Sequence, residues 1–377
     1  MKIGIITLPL HTNYGGILQA YALKTFLESL GHEAVVLDPI EKMPAPGSLK
    51  APFVYASRML KRFFKGKNGP EVFREFRFRR ELPLVGKNTA QFIEKYISPR
   101  LIKSYGDVSE TDFDAFVVGS DQVWRPRYFQ KIEDAFLAFA SGWDVKRVAY
   151  AASFGTDQLE YEYQQLEQCS DLLKKFDGVS VRELGAVEMC GEWFDYEDAV
   201  HVLDPVMLLD ADRYRDMAEV SEEHPAKGKI LTYILDKSAH KMSVVDFMKR
   251  ASSKEVHDVS VRAYDKALPV SERVVPPLES WLAGFAQADL VVTDSFHGCV
   301  LSILMHKPFM VVENSYRGMS RIKSLLDMFG LDQRLVQGID PEDDGEFFLS
   351  EPDWDRVEAV LSEKRAESKA FLVENLK

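Results

Sequence analysis

Two turns in the last third of the chain hold residue types suited to handling an anion. In Thr293–Pro308 (TDSFHGCVLSILMHKP) an apolar run ends at Asp294, Ser295, Phe296, His297 and Gly298, and an apolar helical stretch follows. A helix start offers free backbone N–H groups and the positive end of the helix dipole, both of which favour phosphate or carboxylate. An imidazole placed there donates a hydrogen bond to such a group or serves as a general acid near neutral pH. Ser295 adds a hydroxyl, and Gly298 permits close approach. The competing reading is a capping Asp294 or Ser295 beside a packed histidine, and the local pattern supports both equally. A second turn of the same design runs from Glu313 to Arg321 and brings Arg317 and Arg321 to the next helix start. Guanidiniums recognise phosphate and carboxylate in bidentate fashion; the alternative is a surface ion pair of Arg317 with Glu313.

The first half repeats this placement. Arg182 and Glu183 end an apolar run, so Arg182 either faces a cleft or neutralises Glu183 or Asp177. The loop His11-Thr12-Asn13-Tyr14-Gly15-Gly16 joins a strand to a helix, with two glycines allowing a tight turn and exposed amides. It lacks the G-x-G-x-x-G fingerprint of a dinucleotide site. Gly119, Ser120, Asp121, Gln122, Val123 and Trp124 form a polar cluster with an aromatic suited to a sugar. Asp121 is a candidate base for a sugar hydroxyl, or else Ser120 and Asp121 only cap a helix.

These turns need parallel strands to position them. Apolar runs of five or six residues alternate with helical stretches, the pattern of parallel sheets buried on both faces. Strands are predicted at Ile3–Thr7, Ala34–Leu37, Ala115–Val118, Val148–Ala152, Val179–Val181, Ile230–Leu235, Val256–Val261, Leu290–Thr293 and Phe309–Val312. Helices are predicted at Gly16–Leu30, Ala239–Ala251, Leu278–Ala286, Cys299–His306 and Met319–Phe329. A chain of 377 residues exceeds one ordinary core. The fold class expected is α/β, with two Rossmann-like domains, 1–205 and 206–377, divided near Asp204-Pro205, where the polar stretch Asp210–Lys229 follows. Apolar positions at helical spacing predict a terminal helix over 354–376 that covers one domain or bridges both.

Composition narrows the function. A net charge of −12 argues against nucleic-acid binding, which needs a dense cationic footprint. Three isolated cysteines, Cys169, Cys190 and Cys299, argue against a disulfide framework or a cysteine metal site, and no His, Cys and carboxylate set has metal-ligand spacing. The opening MKIGIITLPL reads as a first strand rather than a secretory signal, and no stretch approaches the roughly 18 apolar residues of a membrane span. A cytoplasmic protein is expected. One segment departs from the acidic balance: Lys50–Arg80 holds ten Lys and Arg against Glu71 and Glu75, interleaved with Phe63, Phe64, Phe73, Phe76 and Phe78. It reads either as a solvated insertion whose aromatics pack on the domain, or as a contact for anionic lipid at the inner face of a membrane or for a phosphorylated acceptor.

In order along the chain, NYGGILQAYAL (Asn13–Leu23), GSDQVW (Gly119–Trp124), AYAASFG (Ala149–Gly155), SVRE (Ser180–Glu183), LDPVMLL (Leu203–Leu209) and TDSFHG (Thr293–Gly298) resemble the signatures of the polysaccharide pyruvyltransferase family. The resemblance implies a GT-B-like arrangement with the active site between the domains, and phosphoenolpyruvate as donor with no further cofactor. It implies transfer of the enolpyruvyl group to a sugar of a cell-surface polysaccharide, such as an exopolysaccharide or capsule, or its precursor, to form a pyruvate ketal. The pattern fits a lipid-linked or a nucleotide-linked acceptor alike. An essential histidine of the family maps onto His297, and donor-holding arginines map onto Arg182 and Arg317, with Ser295, Gly298 and Arg321 beside them. Asn13, Tyr14, Gly15, Gly16, Ser120, Gln122 and Trp124 fall on the acceptor side. Two other functions fit the same turns: a GT-B-like glycosyltransferase using a nucleotide sugar, and a non-catalytic sugar-binding protein.

Overall fold

The computed structural model describes residues 1–40, 50–66, 69–129, 131–220, 225–338 and 345–377. Lys67 of the basic segment and residues 221–224 of the polar stretch lie outside them.

The first sheet contains β1 (Lys2–Ile6), β2 (Glu33–Pro39), β3 (Arg100–Ile102), β4 (Ala115–Val118), β5 (Lys146–Ala152), β6 (Gly178–Val181) and β7 (Val200–His201). The second contains β8 (Ile230–Tyr233), β9 (Val256–Asp258), β10 (Leu290–Thr293), β11 (Phe309–Val312) and β12 (Leu335–Val336). All pairings are parallel, in the orders 3-2-1-4-5-6-7 and 12-11-10-8-9. Strands β4, β6, β8, β10 and β11 are buried at every position, as helices on both faces require. Strand order reverses between β1 and β4 in one sheet and between β8 and β10 in the other. Open α/β sheets bind ligands at such switch points, beyond the strands' carboxyl ends. The nine predicted strands are all present. The short edge strands β3, β7 and β12, of three, two and two residues, lacked an apolar run long enough to read.

The sheets are joined through 202–229. The last helix, Trp354–Asn375, bridges both domains. At its start Trp354 stacks on His306, with ring centroids 4.8 Å apart, and further along Ser368 Oγ accepts from the Leu203 backbone N at 3.0 Å while Phe371 lies against Tyr150. Two Rossmann-like domains facing one another, tied by a returning terminal helix, make the GT-B-like arrangement.

Tyr14 belongs to this interdomain seam. Its ring stacks on Trp281 at 4.9 Å and its hydroxyl donates to the Pro276 carbonyl at 2.8 Å, so it is buried and turned away from any acceptor. Tyr14→Phe is expected to lose about 0.5–1.5 kcal/mol of stability through that one hydrogen bond. Urea unfolding checks this, with activity unchanged because the ring stays in place.

Candidate active site between the domains

The loops after β1, β4, β6 and β10 meet where the two sheets face each other. The helix Phe296–Leu304 begins three residues earlier than expected and is capped by Ser295, whose Oγ accepts from the Gly298 backbone N at 3.4 Å. His297 therefore stands in the first helical turn rather than in an open turn. It is 7% exposed, because the N-terminal domain closes over it. The close approach comes from Gly15: a Cβ there would stand 2.1 Å from His297 Nδ1. Gly15 thus serves helix–histidine packing between domains. Gly16 does the same for Asn13 and Asp121, which a Cβ would meet at 3.0 and 3.3 Å.

Asp204 lies at the centre of the cluster, in the connection between the domains. Its Oδ2 accepts from Arg182 Nη1 at 2.8 Å and from Ser120 Oγ at 2.9 Å, and it stands 3.6 Å from His297 Nε2. Its Oδ1 accepts from the Val206 N at 3.0 Å. Burial pushes this carboxyl up, but His297 and the Arg182 guanidinium outweigh burial and hold it well below the usual carboxylate range. By sequence Asp204 falls at the domain boundary and within the motif LDPVMLL, with no role assigned to its side chain. An aspartate before proline at a helical turn reads as an ordinary cap, and nothing local reports that His297, 93 residues on, faces it.

Arg182 is buried, with its side chain 1% exposed. Nη1 also donates to Ser120 Oγ at 3.2 Å, Nη2 lies 3.6 Å from Asp121 Oδ1, and the guanidinium covers the Phe296 ring at 4.4 Å. It is a counter-ion inside the interdomain cluster, not an arginine on an open cleft wall. Neither Asp177 nor Glu183 is its hydrogen-bond partner. Glu183 Oε1 instead accepts from Ser153 Oγ at 2.8 Å and from the Phe154 and Gly155 backbone N atoms at 3.1 and 3.2 Å. Burial raises the Glu183 carboxyl despite Arg182 and Arg321 nearby. Arg321 is buried as well, and burial together with Arg182 pulls it down to about 10. Asp121 has φ of +71°, a conformation uncommon outside glycine, which aims its carboxylate at Arg182 and at Asn13 Nδ2, 3.4 Å away.

Arg317 is half-exposed and pairs with Asp236 through Nε and, at 3.2 Å, through Nη2, rather than with Glu313. Asn314 links Asp236 to Asp294 with two bonds of 2.8 Å, and Lys241 Nζ reaches Asp294 at 2.7 Å. This second network cross-ties the ends of β8, β10 and β11.

A cleft of about 1250 Å³ opens beside the second network, and of the His297 cluster only Asn13 reaches its wall. Asn13 and Arg317 line it, as do Lys103, Lys131, Lys237 and Arg262. It follows the ends of β1, β2, β8 and β9 and takes further walls from the connections after β3, β4 and β11, while Ser120, Arg182 and His297 are buried and do not line it. Three expected contacts do not hold in this structure. Trp124 is fully buried, stacked on Phe136 and donating from Nε1 to the Ala135 carbonyl at 3.1 Å, so it presents no face to a sugar. Gln122 turns inward to accept from Arg125 Nη1 at 3.0 Å. Gly298 makes room for Thr293, which a Cβ would meet at 2.2 Å, and not for a ligand.

The fold and site define a two-domain α/β protein with a charged, histidine-containing centre where its sheets converge. The chain belongs to the polysaccharide pyruvyl transferase family, whose description it matches over residues 13–316. All six ordered motifs lie within that span; Arg317 and Arg321 lie just beyond it. Comparison with curated proteins finds no match. Similar solved structures include UDP-GlcNAc 2-epimerase from Neisseria meningitidis bound to UDP-GlcNAc (9% identity, 100% of this chain and 99% of that one, TM-score 0.48). A UDP-glucosyltransferase from Polygonum tinctorium is similar at 10% identity (99% and 97%, TM-score 0.45). The E. coli heptosyltransferase WaaC with ADP is similar at 13% identity (97% and 100%, TM-score 0.38). At such identities and scores they speak to no activity of this chain.

Proposed function

We propose that the protein transfers the enolpyruvyl group of phosphoenolpyruvate to two hydroxyls of a sugar in a cell-surface polysaccharide or its precursor, forming a pyruvate ketal. The observation that carries this reading is a cluster of buried nitrogens. Arg182 Nε and Nη2, Arg321 Nε and His297 Nε2 find no hydrogen-bond partner among the described residues. Unfilled buried donors are costly, and an anion bearing both a carboxylate and a phosphate would satisfy several at once.

In this scheme a proton is delivered to the methylene carbon of phosphoenolpyruvate, leaving an oxocarbenium-like centre. A first sugar hydroxyl attacks it and loses its proton, inorganic phosphate departs, and the second hydroxyl closes the ketal with loss of its own proton. His297 is the proton donor or the phosphate contact, and Asp204 and Arg182 position its ring. Asp121, held by Arg182 and by the cleft-lining Asn13, is assigned to orienting a hydroxyl. Arg317 and the cleft lysines meet the remaining negative charge. Family membership supports the transferase class, and no step requires a metal or an additional cofactor.

Donor binding tests the reading. Phosphoenolpyruvate is expected to raise the melting temperature, since a ligand of the native state stabilises by mass action, while a nucleotide sugar is not. Phosphate release should then match an acceptor mass gain of pyruvate less water. Stabilisation by the nucleotide sugar alone would instead favour glycosyl transfer.

A further inference from the structure

We infer that the helix Ala51–Lys65 is a docking element for an anionic lipid bilayer. No residue of this helix is buried. At about 100° per residue, Phe53, Met59, Leu60, Phe63 and Phe64 share one arc of roughly 140°, and Lys61, Lys65 and Arg62 occupy the opposite arc. The orientation is the reverse of an ordinary surface helix. Val54, Tyr55 and Arg58, on the cationic side, face the rest of the chain: Tyr55 meets Phe73 with ring centroids 5.1 Å apart, and Arg58 Nη1 donates to the buried Glu75 at 2.7 and 3.0 Å. The aromatic arc points away, with Phe53 78%, Phe63 82% and Phe64 76% exposed. The expectation that these aromatics pack on the domain therefore fails for this helix, and Phe73 and Phe76 of the neighbouring segment are exposed too.

Charge selects the occupant. Ten cations against two acids give Lys50–Arg80 a formal +8, so the remainder of the chain carries −20 and the whole −12. A second copy seated on this face would bring two such segments together, which like-charge repulsion opposes. A bilayer with anionic headgroups takes the aromatic face into its interfacial region while Lys61, Arg62 and Lys65 reach the headgroups. No helix among the described residues is long and apolar enough to cross a membrane, so this is a contact with the surface. The adjoining helix Arg74–Val85 lies beside His11 and Tyr264, which also line the cleft, so docking sets the cleft mouth near the bilayer.

The test is flotation of the full chain with vesicles of phosphatidylglycerol and phosphatidylcholine, against phosphatidylcholine alone. At about 50 mM salt, binding to the anionic vesicles should be about tenfold or more stronger, and it should fall steeply near 500 mM. Phe63→Asp with Phe64→Asp, and separately Lys61→Glu, Arg62→Glu and Lys65→Glu together, should each lower binding about tenfold or more without changing thermal unfolding, because these side chains are exposed. Absence of binding at low salt, equal binding to both vesicle types, or binding unchanged in both variants overturns the inference. So does a dimer in sedimentation that Phe63→Asp with Phe64→Asp converts to monomer without any vesicle binding, which would assign the face to a second copy. Flotation measures no turnover, so its outcome is independent of the reaction proposed above.

Discussion

His297→Ala should lower phosphate release from phosphoenolpyruvate by about 10²- to 10⁴-fold, the range over which a positioned general acid contributes. The imidazole sits where both sheets present their switch points, against Gly15 from one domain and Asp204 from the connection. The variant should remain folded, with a stability loss of about 1–3 kcal/mol from the emptied interdomain contact. His306→Gln is the control. That ring donates to Glu358 at 2.7 Å and stacks on Trp354, two residues beyond the end of the helix Phe296–Leu304 and outside the cleft lining. Its replacement should retain most activity. Turnover with a working acceptor, measured on both variants after circular dichroism confirms folding, decides the assignment. Near-parental activity in His297→Ala would remove His297 from the mechanism.

Asp204→Asn should cost about 3–5 kcal/mol in urea unfolding at neutral pH, because it leaves the buried Arg182 charge without its closest counter-ion. The size of that gap should depend on pH in a defined direction. Asp204 has a folded-state pKa below the ordinary value, so its stabilisation is fully present above the unfolded carboxylate value of about 3.9 and is lost as pH falls through the folded-state value. The difference between parent and variant should thus hold constant from about pH 5 upward and narrow below about pH 4. A gap that stays unchanged down to the lowest pH at which the parent folds would mean that Asp204 acts through shape and not through charge. Activity should fall with it, since the same oxygen that pairs with Arg182 faces His297 Nε2. A variant that loses stability but keeps full turnover per folded molecule would separate the two roles.

The arrangement explains why several site expectations needed revision. Residue type and position at a strand end were legible for His297, Arg182, Asp121 and Arg317, because a parallel strand delivers whatever follows it to the carboxyl edge of its sheet. What lies opposite was not. Tyr14 and Gly15 are adjacent in sequence to the cleft-lining Asn13, yet helical geometry turns them into the interdomain seam, one against Trp281 and the other against His297. Trp124 follows the polar cluster at Ser120–Gln122 but rotates into an aromatic stack with Phe136. One or two residues of spacing separate the cleft-lining Asn13 from these seam positions and the polar cluster Ser120–Gln122 from the aromatic stack. Single-sequence spacing does not resolve that difference when the loop is irregular.

By itself the sequence determined the α/β class, the nine principal strands, the order of six family motifs and the histidine-bearing helix start, because apolar periodicity and turn chemistry are local properties of the chain. The tertiary structure alone decided which charges meet. Asp204, Arg182 and His297 come from three separate elements, and they form one network only because the chain beyond the ends of two facing sheets meets there. The reversed helix Ala51–Lys65 was likewise undecided by sequence: periodicity shows two faces, but only packing shows which of them the protein leaves outside.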